Sequence, residues 1–541
     1  YAFGVVAYEL LLGLSPAEPQ HSGERAAVLR AREHDLSVSE LSKEVQAVLV
    51  RLLSEEPSAR FASAQETAAA LAQASGLPEQ RESVVVRESF LQAADFVGRS
   101  SELEQLQKAL QRALRGHGSA WVVGGESGVG KSRLLDELRI LTLVAGARVF
   151  VGQATSDGGT GFALLAGILR ALSLQAPLSK IKTSVLKALM PDLPALLGRP
   201  IADAPALDPQ PTQLRLVAAI EAVLLGTTTP TVILLEDLHW CDPDSLEVLR
   251  RLTPQLADRP LLLVASYRDE ERPHLPRELP AAHLLRLSRL SRDAIAQLSA
   301  SMLGGAAKRA ELVQWLQQQT EGNTYFMVEV VRALAQDAGT LAAIGQARLP
   351  THILTGGMGA VLQRRLERVP ADALHLLRRA AVAGRQLDLT LLRAMVADLE
   401  PLLRDCAEAA ILEVFAQQWR FSHDKLREHL LATLGAVERQ QLHHEVALAL
   451  ERAYPDPTTQ AAARAYHYEQ AGIIDKAAVC TVFAGQQAAR RGSLAEAAAL
   501  LAKAAALQQL TATPRLAQVQ TRRLLVETLF ALGKMDACLE A

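Results

Sequence analysis

The chain is poor in aromatic residues and in cysteine, and neither sign of charge dominates. Phe, Trp and Tyr make up only 4% of 541 residues, so Ala and Leu carry most of a hydrophobic content of 49%. That bias favours helix. Cys241, Cys406, Cys480 and Cys538 lie far apart and form no C-x-x-C. This excludes a disulfide framework or a zinc knuckle and predicts a reducing, cytoplasmic setting. A net charge of −2 leaves no basic field to draw the chain to DNA or anionic lipid. No apolar run reaches about 18 residues without a charge, so no membrane span is expected. The length predicts three or four domains.

Against these absences stands one dense motif. Val122–Ser132 reads Val-Val-Gly-Gly-Glu-Ser-Gly-Val-Gly-Lys-Ser, and Gly125, Gly130, Lys131 and Ser132 complete G-x-x-x-x-G-K-[ST]. An apolar run, Ala120–Val123, precedes it, and a helix pattern, Arg133–Leu143, follows. This strand–loop–helix context is the one a phosphate-binding loop needs. Glycines let backbone N–H groups turn inward around a phosphate chain, and the helix N-terminus adds its positive dipole end. The expected nucleotide contacts are Gly125, Glu126, Ser127, Gly128, Val129, Gly130, Lys131, Ser132 and Arg133. Lys131 would reach the β- and γ-phosphates of ATP, and Ser132 would hold Mg²⁺. The bland alternative is a glycine-rich turn with no ligand.

Thr231–Asp237 reads Thr-Val-Ile-Leu-Leu-Glu-Asp. Four consecutive apolar residues ending in two carboxylates describe a strand buried on both faces, with its tip at a ligand site. One carboxylate can hold the magnesium and the other can orient and deprotonate the attacking water. Ala147–Ala154, Pro260–Arg268 and Leu284–Leu290 are further predicted strands. Phe162–Leu172 and Ile181–Leu197 are predicted helices, and Pro200–Gln213 is predicted as a loop. The fold class is therefore multidomain: an α/β P-loop NTPase with a parallel sheet, and mostly helical flanks.

Several segments resemble known families. Phe96-Val97-Gly98-Arg99 with Ser101–Leu114 resembles the opening of the AAA-like regulatory ATPases of the STAND class. That resemblance implies that Val97 and Gly98 lie near the adenine, that Glu236 takes the metal position and that Asp237 is the base. It also implies that Arg268, ending a "(T/S)-x-R" element, senses the γ-phosphate. Leu238-His239-Trp240-Cys241-Asp242 resembles the "L-H-W-x-D" of bacterial kinase–ATPase fusions, cyclase-linked ATPases and large LuxR-type regulators. Glu321–Phe326 is similar to "E-G-N-P-F-F", with Thr324 where the family has Pro. Residues 346–435 resemble the winged-helix module of these ATPases, a nucleotide-controlled lid. There His423 of Ser-His-Asp either caps the next helix or approaches the nucleotide. Arg364, Arg365, Arg368, Arg378 and Arg379 fall at helical spacing and read as a solvated face.

Tyr1–Gly13 is almost wholly apolar, so a buried helix is expected. With Glu55-Glu56-Pro57-Ser58-Ala59-Arg60-Phe61 it resembles the last quarter of a bacterial Ser/Thr protein kinase domain. There Arg60 would make a structural ion pair. No Gly-rich loop, H-R-D or D-F-G occurs in residues 1–75, so kinase activity is not expected of this chain. Residues 436–541 look like a degenerate TPR-type array, either a partner-binding surface or a plain scaffold. The expected order is kinase C-lobe remnant (1–76), linker (77–94), ATPase core (95–290), helical lid (291–345), winged-helix-like module (346–435) and TPR-like repeats (436–541). The order resembles PknK-type kinase–ATPase fusions, and the chain reads as a fragment cut at both ends. The implied partners are ATP, a protein on the array and a nucleotide-dependent oligomer, with neither membrane nor nucleic acid. The alternative readings are a LuxR-type transcription regulator lacking its DNA-binding domain, and a scaffold that only holds ATP.

Overall fold

Five short apolar runs build one parallel sheet. The strands are β1 (Ser119–Gly124), β2 (Arg148–Gln153), β3 (Thr231–Glu236), β4 (Leu261–Tyr267) and β5 (His283–Arg286), in the order β2-β3-β4-β1-β5. The computed structural model describes residues 2–12, 41–54, 56–61, 64–76, 95–154, 161–174, 178–205, 209–303, 310–338, 344, 357–385, 387–415 and 418–540. The chain divides into two compact units, Tyr1–Arg87 and Glu88–Ala541. The proposed linker 77–94 lies outside the described residues.

Strands β3 and β4 are buried along their whole length, as a sheet covered on both faces requires. Alternate residues serve opposite faces. Val232, Leu234, Leu262 and Val264 pack under helices Ser100–Leu114 and Lys131–Val144. Ile233, Leu235, Leu263 and Ala265 pack under helices Ala163–Ser173, Pro209–Leu225 and Pro243–Leu252. The register pairs Gly124 with Tyr267 and Gln153 with Glu236. The tips of β1–β4 therefore end on one edge, where an open parallel sheet places its ligand.

Three sequence expectations change. Ile181–Leu197 is two helices, Lys180–Leu186 and Leu193–Leu196, because Pro191 disfavours helix at Met190 and Pro194 restarts it in a first turn. The predicted loop 200–213 already contains the start of helix Pro209–Leu225, where Pro at the first position costs no hydrogen bond. Strand β5 stops at Arg286, because Leu287 N–H still bonds Gly124 O (2.8 Å) while Leu290 N–H turns to Gly322 O (2.8 Å).

Helices Arg292–Leu303, Ala310–Thr320 and Thr324–Ala338 share a core with Val97 and Val361. Beyond them helices Gly357–Leu366, Ala371–Ala383, Leu389–Arg393, Glu400–Glu408 and Asp424–Thr433 enclose a hairpin of β6 (Leu412–Phe415) and β7 (Gln418–Phe421). Arg364 and Arg368 of the predicted solvated arginine face are exposed, but the other three are covered by neighbours. Arg365 is buried, with Nη1 2.5 Å from the Glu329 carboxylate and Nε donating to Ala409 O at 3.0 Å. Arg378 and Arg379 bridge to Glu438 (2.9 Å) and Glu445 (2.7 Å) on the next helix, Ala436–Ala453. Helical spacing registers which residues share a face but not which neighbour covers it.

The helical region that follows comprises Ala461–Gln470, Ile474–Arg491, Leu494–Gln509, Arg515–Ala531 and Met535–Glu540. It folds back on the sheet domain: Gly161 N–H donates to Glu496 (2.7 Å). Burial, with Asp244 and Asp242 nearby, pushes the Glu496 carboxyl up to about 7. Among the described residues no helix is long and apolar enough to cross a membrane.

In the first unit, Tyr8 of helix Ala2–Leu12 packs with Leu49 and Leu53, beside helix Lys43–Leu52. Phe3, Val6 and Leu10 are exposed, so this helix is not buried all round. One helix packed on its Gly4–Tyr8 side covers only that side; a Cβ on Gly4 would lie 2.9 Å from Leu52 Cβ. Arg60 Nε donates to Ser54 O at 2.8 Å.

Candidate active site

The loop after β1 turns through Gly125, Gly128 and Gly130, all at positive φ. Gly130, at φ 103°, is the N-cap of helix Lys131–Val144. Side chains other than glycine rarely adopt this backbone, so the glycines are what let the loop close. Lys131 is 8% exposed and its Nζ donates to Gly125 O and Glu126 O, each at 2.6 Å. Burial, then the neighbouring Arg268 guanidinium, lower its pKa to about 8. Ser132 Oγ donates to Glu236 Oε2 at 3.2 Å, across 104 residues of sequence. Glu236 is buried, and burial raises its pKa. A hydroxyl and a carboxylate oxygen at this separation are the hard-oxygen donor set that Mg²⁺ takes.

Asp237 follows β3 in the left-handed region, at φ 58°. Asp tolerates this conformation better than most side chains, and such local strain clusters at functional sites. Its N–H donates to Ser266 Oγ (3.3 Å). Its Oδ2 accepts from Gln153 Nε2 (2.9 Å) and pairs with Arg385. Arg268 ends β4. Its N–H donates to His239 Nδ1 (3.3 Å), and its guanidinium pairs with Asp424, Glu271 (2.7 Å) and Glu428 (3.1 Å). The guanidinium carbon sits 5.1 Å from the Trp240 ring centroid. Burial, with Arg268 beside it, pushes His239 down to about 3, so it is neutral and positions Arg268.

A second element clasps the phosphate loop. Asn323 Nδ2 donates to Ser127 O (2.9 Å), Thr324 Oγ1 to Val129 O (3.3 Å) and Tyr325 N–H to Gly128 O (3.0 Å). Thr324, where the resembling family has Pro, thus supplies a bond that Pro cannot. Asn323 Oδ1 accepts from Phe326 N–H at 3.3 Å, which starts the helix. Gly322 turns the chain at φ 81°, and a Cβ there would lie 2.4 Å from Leu290 O. Gly322→Ala is expected to destabilise the chain by at least about 1–3 kcal/mol from the left-handed backbone alone. Thermal melting reads this as a lower midpoint.

Other expected residues lie as follows. Gly98, at φ 73°, packs against Ala294, and Val97 joins the same helical core. Val129 is buried. Glu126 pairs with Arg289 (3.0 Å). Arg133 points along its helix to Glu137 (2.9 Å) and does not join the cluster. His423 caps helix Asp424–Thr433, accepting from Lys425 N–H at 3.1 Å. It stacks on Tyr325 at 3.6 Å between ring centroids.

Sequence reasoning missed four contributors. Arg99, quoted only as part of an opening motif, is buried and holds Val129 O (3.1 Å) and Ser288 O. Glu270 accepts from Ser127 N–H at 3.3 Å, so a carboxylate stands where the loop would meet a phosphate oxygen. Asp424 stands in a quoted motif, but no partner was assigned to it. Arg385 carries no local signal at all.

Residues 95–264 match the AAA ATPase domain family. An uncharacterized protein of Rhizobium meliloti (strain 1021) is 26% identical over 440 residues, covering 74% of this chain and 42% of that protein. The chain therefore spans less than half the length of this curated relative. A STAND protein (signal transduction ATPase with numerous domains) with a tetratricopeptide repeat sensor, from Pyrococcus horikoshii, aligns at 12% identity. Its TM-score is 0.45, over 82% of this chain and 63% of that one. The Aeropyrum pernix ORC1 protein, solved in complex with DNA, aligns at 15% identity and a TM-score of 0.34, over 65% of this chain and 96% of that one. Residues 95–264 of this chain carry an AAA ATPase domain.

Proposed function

We propose that the chain is a slow ATP-hydrolysing switch of the STAND type. ATP with Mg²⁺ binds at Gly125–Ser132 and Glu236, with Asp237 as the base and Arg268 at the γ-phosphate. The module 346–435 serves as the lid, and the array receives a protein partner. The observation that carries this reading is the Ser132–Glu236 contact at 3.2 Å, which brings a hydroxyl and a carboxylate to the head of a glycine-built phosphate loop. The proposed output belongs to a longer protein. Tyr1–Gly13 and Glu55–Phe61 resemble a Ser/Thr kinase C-lobe, so the switch would regulate a kinase domain.

The test is ATP turnover by the full chain and by Asp237→Asn. A positioned base contributes about 10²–10⁴-fold. The variant should therefore bind ATP normally and release phosphate at least about a hundredfold more slowly. Equal turnover by both chains would remove Asp237 from the chemistry and sink the hydrolytic switch.

A further inference from the structure

Asp237 and Arg268 both belong to the sheet domain, yet each is tied to the module 346–435. The ties run through two residues of that module. Arg385 Nη1 pairs with Asp237 Oδ2, and Arg385 Nε lies 2.8 Å from Asp424 Oδ1. The other oxygen of Asp424 pairs with Arg268. The result is an alternating chain, Asp237–Arg385–Asp424–Arg268, which continues to Glu271 and Glu428. Asp424, Asp237 and Glu236 hold the buried Arg385 guanidinium above its ordinary pKa against the opposing effect of burial, so it stays charged.

The module fixes both of its residues. Arg385 follows Gly384, the C-cap of helix Ala371–Ala383, and its carbonyl accepts from Phe421 N–H of β7 at 3.4 Å. Asp424 opens the helix that His423 caps. One rigid movement of the module would therefore break Asp237–Arg385 and Arg268–Asp424 together.

Asp237 Oδ2 already accepts from Gln153 and Arg385, so both lone pairs of that oxygen are taken, and a base must offer a lone pair to the water it deprotonates. We infer that Arg385 is a gating residue for hydrolysis: its guanidinium holds Asp237 Oδ2 and withholds that oxygen from the attacking water until the module moves. Arg385 acts through Asp237 and is a positioning residue. This inference rests on the ATPase reading above and adds to it the group that keeps the resting rate low.

The experiment is steady-state ATP hydrolysis by the full chain, comparing wild type, Arg385→Gln, Arg385→Lys and Arg385→Gln/Asp237→Asn. Arg385→Gln should raise kcat at least about tenfold, the factor that corresponds to one net hydrogen bond to a charged group. Its KM for ATP should change by less than about twofold. Arg385→Lys keeps a cation beside Asp237 and should be at least about threefold slower than Arg385→Gln. The double variant should fall to the rate of Asp237→Asn, because a freed base has no effect once the base is gone. Circular dichroism melting checks folding, and Arg385→Met, which keeps the packed stem, replaces Gln if that variant does not melt cooperatively. Hydrolysis by Arg385→Gln that is slower than or equal to wild type overturns the gate, as does an Arg385→Lys rate matching it. If wild type and Asp237→Asn turn over alike, the ATPase reading fails first. If Asp237→Asn is slow while Arg385→Gln gains nothing, only the gate fails.

Discussion

Lys131→Ala is expected to weaken ATP binding by at least about a hundredfold. The Nζ ammonium is buried and held by two loop carbonyls, Gly125 O and Glu126 O, at 2.6 Å. This pre-orders it at the centre of the phosphate loop. A charge-assisted hydrogen bond contributes about 1.5–3 kcal/mol, and two phosphate contacts at that strength give about two to four decades of affinity. The alanine variant also leaves both carbonyls without their donor. Isothermal titration with ATP and Mg²⁺ measures the loss, and equal affinities would remove Lys131 from the site. The pH dependence has a defined sign. Burial, then Arg268, bring the Lys131 pKa from 10.5 down to about 8. The ammonium that a phosphate needs is present below about pH 8 and is lost above it. Wild-type affinity should fall as pH rises through 8–9, well before an ordinary lysine would titrate, and ATP binding there should take up protons. Lys131→Ala should show no such fall.

This site was readable in the sequence where its chemistry is local. The glycines of Gly125–Gly130 mark a backbone that turns through positive φ, and Glu236-Asp237 follow a run too apolar to face water. The helical character of residues 436–541 was readable for a similar reason, since the period is written into each helix alone. Contacts between distant segments left no such trace. Arg385 lies 148 residues from Asp237, in the plain string Ala-Gly-Arg-Gln, and only the packing of two domains gives it a partner. Arg365 was misread because a periodic arginine looks alike whether water or a glutamate covers it. Strands β6 and β7 have four residues each, too short for a period of two to register.

The misread arginine leads to the largest expected effect on stability. Glu329 is buried on helix Thr324–Ala338, one turn after the Tyr325 that stacks on His423. Its carboxylate pairs with Arg332 and, at 2.5 Å, with Arg365 on helix Gly357–Leu366. All three side chains are nearly inaccessible to water. Arg365 also donates to Ala409 O and Ala410 O, at the foot of the β6–β7 hairpin. The triad therefore joins helix Thr324–Ala338, helix Gly357–Leu366 and the foot of the hairpin at one buried point. Removing one member of a buried ion cluster leaves an uncompensated charge and costs about 3–5 kcal/mol. Glu329→Gln is expected to lose about that much, read as a lower urea midpoint for the unit containing the module. Burial alone would raise the Glu329 pKa, but Arg332 and Arg365 outweigh it and bring it from 4.5 down to about 2. A carboxylate depressed in the folded state stabilises fully above its unfolded pKa and loses that contribution as pH falls towards its folded one. The wild-type midpoint should therefore decline between about pH 4.5 and 2 by an increment that Glu329→Gln lacks. If the two chains converge at neutral pH, the triad does not hold the module. If they differ at neutral pH and approach one another on acidification, the carboxylate charge is what joins the module to helix Thr324–Ala338, and with it positions Arg385 and Asp424 beside Asp237 and Arg268.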